Sequence, residues 1–236
     1  MRGRAVGAGN FTAWFRRFGL KDGNMITLHS YWRSGAAYRV RIGLALKGLS
    51  YKTAAHDLRA GAQHDPEFLA LNPQGLVPAI ESEGMVFTQS PAIFEWLDEV
   101  YPNPPLLPKA PAERAQVRAL AAQICCDIHP LNNLRVLNAL RSDLGGKKEH
   151  VLAWTAKWIG LGFAALEPQI ARCGGAFAWG DSATVVDCCL VPQVYSAERF
   201  GVDLGPYPAI RRVAEHCRAL EPFRAAHPEA QPDFAE

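Results

Sequence analysis

The densest group of residues able to do chemistry in this 236-residue chain is Arg33-Ser34-Gly35 with the run behind it. Thr27, Leu28 and Tyr31 have strand character, and Ser34 and Gly35 have the character of a turn and an N-cap. A helix-compatible run extends from Ala36 to Lys47, with Gly48 where a C-terminal glycine belongs. The spacing therefore puts a hydroxyl at a helix N-terminus, whose free N–H groups and partial positive charge hold an anion. Arg33, Arg39 and Arg41 add three guanidinium groups nearby. Taken alone, the same residues are accounted for by a capping serine with solvated arginines. A second helix start stands at Gln89-Ser90-Pro91, with Ser90 as N-cap and Pro91 in the first turn.

The framework around these groups is legible along the chain. Ile26 to Tyr31 reads as a strand and Tyr51 to Asp57 as another. Pro66 to Leu71 reads as a short helix ended by Asn72-Pro73. Gly75 to Ile80 reads as a third strand containing Pro78, Glu81 to Gly84 as a hairpin turn, and Met85 to Thr88 as a fourth strand. A proline inside a strand removes a ladder donor and belongs at an edge or a bulge. The sequence leaves the isomer of the Val77–Pro78 bond open, trans being the more frequent. The helix from Ser90 runs to about Tyr101. The order is β-α-β-α-β-β-α. Proline-rich residues 102 to 111 read as a linker, after which strand patterning stops. Helical runs are expected over 112–140, bent at Pro130, over 149–170, over 184–197, and from 207 to 220. Thr184-x-x-Asp187 has the form of a capping box.

Composition excludes several classes. Net charge is +2, too mild and too evenly spread to argue for nucleic acid. No apolar run reaches the length of a membrane span. The six cysteines include no CxxC and no zinc-like Cys/His spacing, so no metal is expected. Free thiols in a reducing cytoplasm are the expectation. Residues 1–24 are basic, with no acidic residue before Asp22, and Met25 opens the folded pattern. They read as a disordered extension translated from an upstream start, with an organelle transit peptide as the alternative.

The pattern from Met25 to about Asp233 resembles the glutathione transferases, specifically the zeta class that includes maleylacetoacetate and maleylpyruvate isomerases. Six motifs carry the resemblance: residues 33–42 (RSGAAYRVRI), Ala70-Leu71-Asn72-Pro73-Gln74, Val77-Pro78, Gln89-Ser90-Pro91-Ala92-Ile93, Cys126-Asp127-Ile128-His129-Pro130, and Leu190-Val191-Pro192-Gln193 continuing through Arg199 to Tyr207-Pro208. It implies an α/β thioredoxin-like glutathione-binding domain over 25–107 and an all-helical substrate-binding domain over 112–236. It implies a cis Pro78 and glutathione as cofactor, held by Ser34, Gly35, Ala36, Gln63, Val77, Gln89, Ser90, His129, Asn133, Leu134 and Arg135. The γ-glutamyl end is expected at Gln89 and Ser90, the cysteinyl amide on the Val77 backbone, and the sulfur at Ser34. Arg33 and Arg199 are implied as catalytic with Ser34, and Arg33, Arg39 and Arg199 as ligands of a dicarboxylate substrate. Where the family often has Ser-Ser-Cys, this chain has Ser34-Gly35-Ala36, so no protein thiol is available there. The resemblance implies glutathione-dependent isomerisation of maleylacetoacetate, a step of tyrosine and phenylalanine breakdown. The alternatives are a maleylpyruvate isomerase, or a conjugating or dehalogenating transferase using the same residues. It also implies a homodimer.

Overall fold

The structure, a computed structural model, describes residues 25–235. The extension expected over 1–24 lies outside the described residues. A four-stranded mixed sheet runs in the order β2-β1-β3-β4. Strand β1 (Ile26–Ser30) pairs in parallel with β2 (Tyr51–Ala55), and helix α1 (Gly35–Leu46) makes the crossover that a parallel pair needs. Strand β3 (Ala79–Ser82) runs antiparallel to β1, with Leu28 opposite Ile80, and β4 (Met85–Thr88) completes a hairpin. Helix α2 (Pro66–Leu71) and helix α3 (Ser90–Val100) complete the expected element order.

Local details correct three expectations. The third strand begins after Pro78, at Ala79, so the proline costs the ladder nothing. The bond before it is cis. The hairpin turn is narrower than expected: Glu83 and Gly84, at φ 54° and 74°, form the tight pair in left-handed backbone that suits a two-residue connection. Helix α3 is capped by Gln89, one residue earlier than expected, and no side chain caps that end.

The all-helical half comes after the linker, whose start is fixed to α1. Lys47 Nζ donates to Asp98 Oδ1 at 2.8 Å and to the carbonyls of Tyr101 and Pro104. The single bent helix expected over 112–140 is instead broken. Helix α4 (Pro111–Ala122) widens into a π-type turn over Gln123–Ile128, tightens into a 3-10 turn over His129–Asn132, and gives way to helix α5 (Leu134–Ser142). Pro130 has no N–H to continue the ladder, and Asn133 restarts it by accepting from Arg135 N at 3.1 Å. Helices α6 (Lys148–Cys173), α7 (Val185–Arg199) and α8 (Pro208–Ala219) match three expected runs. A short helix α9 (Glu221–Ala225) comes next. The Thr184–Asp187 capping box is present, and Asp187 also accepts from Ala178 N at 2.8 Å. Burial raises the Asp187 carboxyl to about 6.

One apolar core runs through both halves, from Leu28, Ile42, Ile80 and Leu97 to Val117, Leu120, Leu190 and Phe223. Helix α1 packs against α3, α7 and α9. The chain's end returns to hold it. Arg41, 1% exposed, donates from Nε to Ala226 O and from Nη2 to Trp32 O, and Trp32 N donates to Asp233 Oδ2 at 2.8 Å. Arg41 is thus a buried strap and not an anion ligand, because its donors are satisfied by carbonyls and the Ser30 hydroxyl.

Candidate active site

Ser34 caps α1 as its position suggested, in extended backbone, its Oγ accepting from Ala37 N at 3.2 Å. A hydroxyl that accepts from the helix keeps its own hydrogen free to donate outward. Two cavities open on either side of this helix end, and His129 and Asn133 line both. They are adjoining halves of one cleft. Gly35 leaves room at the junction: a Cβ there would already stand 3.4 Å from the His129 ring.

The first cavity, about 240 Å³, is lined by Ser34, Gly35, Arg33 and Arg199 together with Leu134, Tyr31, Tyr195, Arg59 and Arg141. Arg199 stacks its guanidinium over the Phe200 ring at 4.7 Å. Partial burial and the Arg33 guanidinium lower its pKa, so two cations crowd one wall. Crowded cations are stabilised by an anion, and a site with both suits a dianion. Tyr31 Oη is buried and has no hydrogen-bond partner among the described residues.

The second cavity, about 170 Å³, is lined by Ala36, Arg39, Val77, Pro78, Gln89, Ser90, Arg135 and the Cys125–Cys126 pair. The Asn72-Pro73-Gln74 motif builds its rim. Asn72 Nδ2 donates to Leu76 O at 2.7 Å, Asn72 Oδ1 accepts from Gln74 N, and Gln89 Nε2 donates to Gln74 Oε1 at 2.7 Å. Gln89 sits at φ 66°, a conformation non-glycine residues seldom adopt, in the rim itself. With no side chain capping α3, the first amide groups of that helix are left for an incoming anion. Arg39 reinforces this. It is 2% exposed, its Nη1 donates to Ser90 Oγ at 3.4 Å, and its Nε has no partner. Among the described residues no carboxylate pairs with it. A buried cation without a counter-ion is costly unless an anion completes it.

The structure thus sorts the expected residues into two groups. Ser34, Gly35, Arg33, Arg199 and Leu134 face the first cavity, and Ala36, Val77, Gln89, Ser90 and Arg135 face the second. Arg39, expected beside Arg33 and Arg199 as a substrate ligand, faces the second cavity instead, because it lies on the α1 face turned toward α3. Gln63 lines neither cavity. Its backbone carbonyl packs against Gly75, where an added Cβ would stand 3.1 Å from it. His129 is held neutral: burial first, then Arg39 and Arg135, push its pKa well below the usual imidazole value. Sequence reasoning missed Tyr31, Tyr195, Leu137 and Arg141. Helical spacing carries the signal for most of them, since Pro192, Tyr195 and Arg199 share one face of α7, and Leu134, Leu137 and Arg141 one face of α5.

Fold and cleft together are those of a glutathione transferase: residues 24–99 match the family described as glutathione S-transferase, N-terminal domain. The chain is 51% identical over 209 residues to the maleylacetoacetate isomerase of Pseudomonas aeruginosa, covering 87% of this chain and 97% of that one. It superposes with TM-score 0.87 on the holo structure of a bacterial zeta-class maleylpyruvate isomerase, at 49% identity over 89% of this chain and all of the other. It superposes with TM-score 0.80 on the maleylacetoacetate isomerase of Anaeromyxobacter dehalogenans with glutathione bound in its active site, at 47% identity over 89% of this chain and 98% of that one. The chain belongs to the maleylacetoacetate and maleylpyruvate isomerase family within the zeta class of glutathione transferases.

Proposed function

We propose that the protein is a glutathione-dependent cis–trans isomerase that converts maleylacetoacetate to fumarylacetoacetate. The observation that carries this reading is the pairing of two cationic cavities across one helix N-terminus, with Ser34 at that end on the first cavity's side and His129 and Asn133 shared by both. Glutathione fits the second cavity on its chemistry. The unpaired Arg39 guanidinium and the uncapped start of α3 suit its α-carboxylate, and the Ser34 hydroxyl suits its thiol. When bound, glutathione would supply a nucleophilic sulfur for reversible addition to the conjugated alkene, the chemistry that lets the double bond change geometry.

The chain's own residues do the rest. Ser34 Oγ donates its hydrogen toward the sulfur and, with the α1 N–H groups, favours the charged form. Arg33 and Arg199 take the substrate carboxylates and oppose the charge that develops on the carbonyl oxygen. Neutral His129 closes the junction between the halves without adding a third positive charge. Arg39 and Arg135 belong to the cofactor side, with Val77, Gln89 and Ser90. In this reading residues 25–107 hold the cofactor and residues 112–236 supply most of the substrate wall.

Maleylpyruvate is the second candidate substrate, favoured by the likeness to the zeta-class maleylpyruvate isomerase. Both substrates are cis-alkene diacids. An absorbance assay on the two in parallel, with and without glutathione, tests the proposal. Rapid glutathione-dependent isomerisation of maleylacetoacetate supports it, isomerisation of maleylpyruvate alone moves the reading to the second substrate, and failure of both refutes it.

The proposal extends to assembly and setting. Two copies pair through the edge strand β4, where Met85 and Val86 stay exposed, and the apolar groove lined by Phe94, Ala121 and Val185. All six cysteines are unbridged, which suits a reducing cytoplasm and aromatic amino-acid breakdown there. Sedimentation of the purified protein as a monomer would refute the pairing.

A further inference from the structure

The wall behind the second cavity holds a feature that isomerisation does not use. Cys125, on the π-type turn, and Cys189, on α7, bring their sulfurs to 3.5 Å across 64 residues of sequence. A disulfide needs the sulfurs at about 2.05 Å, a contraction that a widened turn outside the regular ladder is placed to absorb. Cys125 lines the second cavity, and both cysteines line the apolar groove behind it. Among the described residues no other pair of sulfurs makes such a contact. Cys188 is fully buried beside Asp187, Cys217 Sγ lies 3.9 Å from Asp187 Oδ1, and Cys173 donates to Gln169 O.

The two sulfurs are chemically unequal. The contact with Cys189, and then the Arg39 charge and Ser90, lower the Cys125 thiol pKa against the burial that would raise it. Cys189 is raised well above the ordinary thiol range. Cys125, which lines the second cavity, is placed to attack an incoming oxidant, and Cys189, behind it, to resolve the product. Burial and Asp187 raise Cys188 and Cys217, which keeps them inert.

We propose that Cys125 and Cys189 form a reversible redox pair, oxidised by peroxide that enters through the second cavity. The Cys125 thiolate attacks the peroxide: an S–O bond forms, the O–O bond breaks, and the leaving oxygen takes a proton as water. The Cys189 sulfur then attacks Cys125 Sγ: the S–S bond forms, the S–O bond breaks, and the hydroxyl leaves as water with the Cys189 proton. The two thiols lose two hydrogens, and the peroxide becomes two waters. Two glutathione thiols reverse the change and become glutathione disulfide.

The experiment treats the full chain with hydrogen peroxide, blocks free thiols under denaturing conditions, and maps peptides by mass spectrometry. The expected result is four blocked cysteines out of six and a cross-linked peptide pair containing Cys125 and Cys189. S-Methylglutathione, which fills the cavity without supplying a thiol, slows the cross-link by several-fold. Cys189→Ser gives no cross-link and leaves a sulfenic acid on Cys125 that dimedone traps. Six blocked cysteines after peroxide, or a bridge through the neighbouring Cys126, overturns the pair. A rate indifferent to S-methylglutathione overturns the route.

Discussion

Replacing Ser34 separates its two roles. Its Oγ accepts from Ala37 N at 3.2 Å, so Ser34→Ala removes an N-cap worth about 1 kcal/mol of stability. On the proposed mechanism, the same change also removes the hydrogen that Ser34 would donate to the cofactor sulfur. A hydrogen bond to a charged group contributes about 1.5–3 kcal/mol. At about 1.4 kcal/mol per pKa unit, the bound glutathione thiol should rise by roughly one to two units in the variant. Ser34→Asp keeps a capping oxygen but has no hydrogen to donate when ionised, and it sets a negative charge beside the sulfur. It should restore the stability and raise the thiol pKa further. Thermal unfolding reads the first effect, and ultraviolet titration of thiolate in the enzyme–glutathione complex reads the second. If Ser34→Ala unfolds earlier while the bound thiol keeps its pKa, Ser34 is a cap and nothing more, and the chemistry assigned to it is wrong.

Four further outcomes rest on the same geometry. Arg39→Ala should weaken S-methylglutathione binding about tenfold or more in calorimetry, with little change in KM for substrate, because the guanidinium faces the second cavity, proposed to hold the cofactor. Arg199→Ala should lower kcat/KM for the dianionic substrate about tenfold to a hundredfold in steady-state assays while leaving glutathione affinity nearly intact. His129, with a folded pKa below its ordinary 6.5, lets the unfolded chain bind the proton more readily, so stability should fall as pH drops below about 6.5. The thermal midpoint of His129→Gln should fall less over that range than that of the native chain. Asp187→Ala strands the buried N–H groups of Ala178 and Thr184 and should cost about 2–5 kcal/mol in denaturant unfolding.

Much of the sheet was legible because its signals are local. The Ser34 cap and Gly48 at φ 66° bracket α1 where the sequence placed them, and Thr184 and Asp187 form the box their spacing describes. The break after Ala122 was not legible. Pro130 announces a bend, but whether the chain bends or stops depends on Asn133 restarting the helix and on the groups packed around the turn. The arginines show the same limit more sharply. Arg33, Arg39 and Arg41 lie at two-residue or six-residue spacing and looked alike in the sequence. Their helix phase sends Arg41 to the Ala226 carbonyl, Arg39 to Ser90, and Arg33, before the helix, to the open cavity. A side chain's partners on distant elements decide its role, and no local spacing encodes them. The residues of α5 and α7 that line the first cavity were readable in principle at helical spacing, yet nothing local said which face would meet Ser34.

On the proposed function, glutathione acts in this cleft as a cofactor that returns unchanged after each turnover. Product and free thiol, measured together over many turnovers on maleylacetoacetate, test that directly. The trans product should accumulate while free glutathione stays constant. Loss of one thiol for each substrate consumed would mean conjugation, and would contradict the isomerase reading.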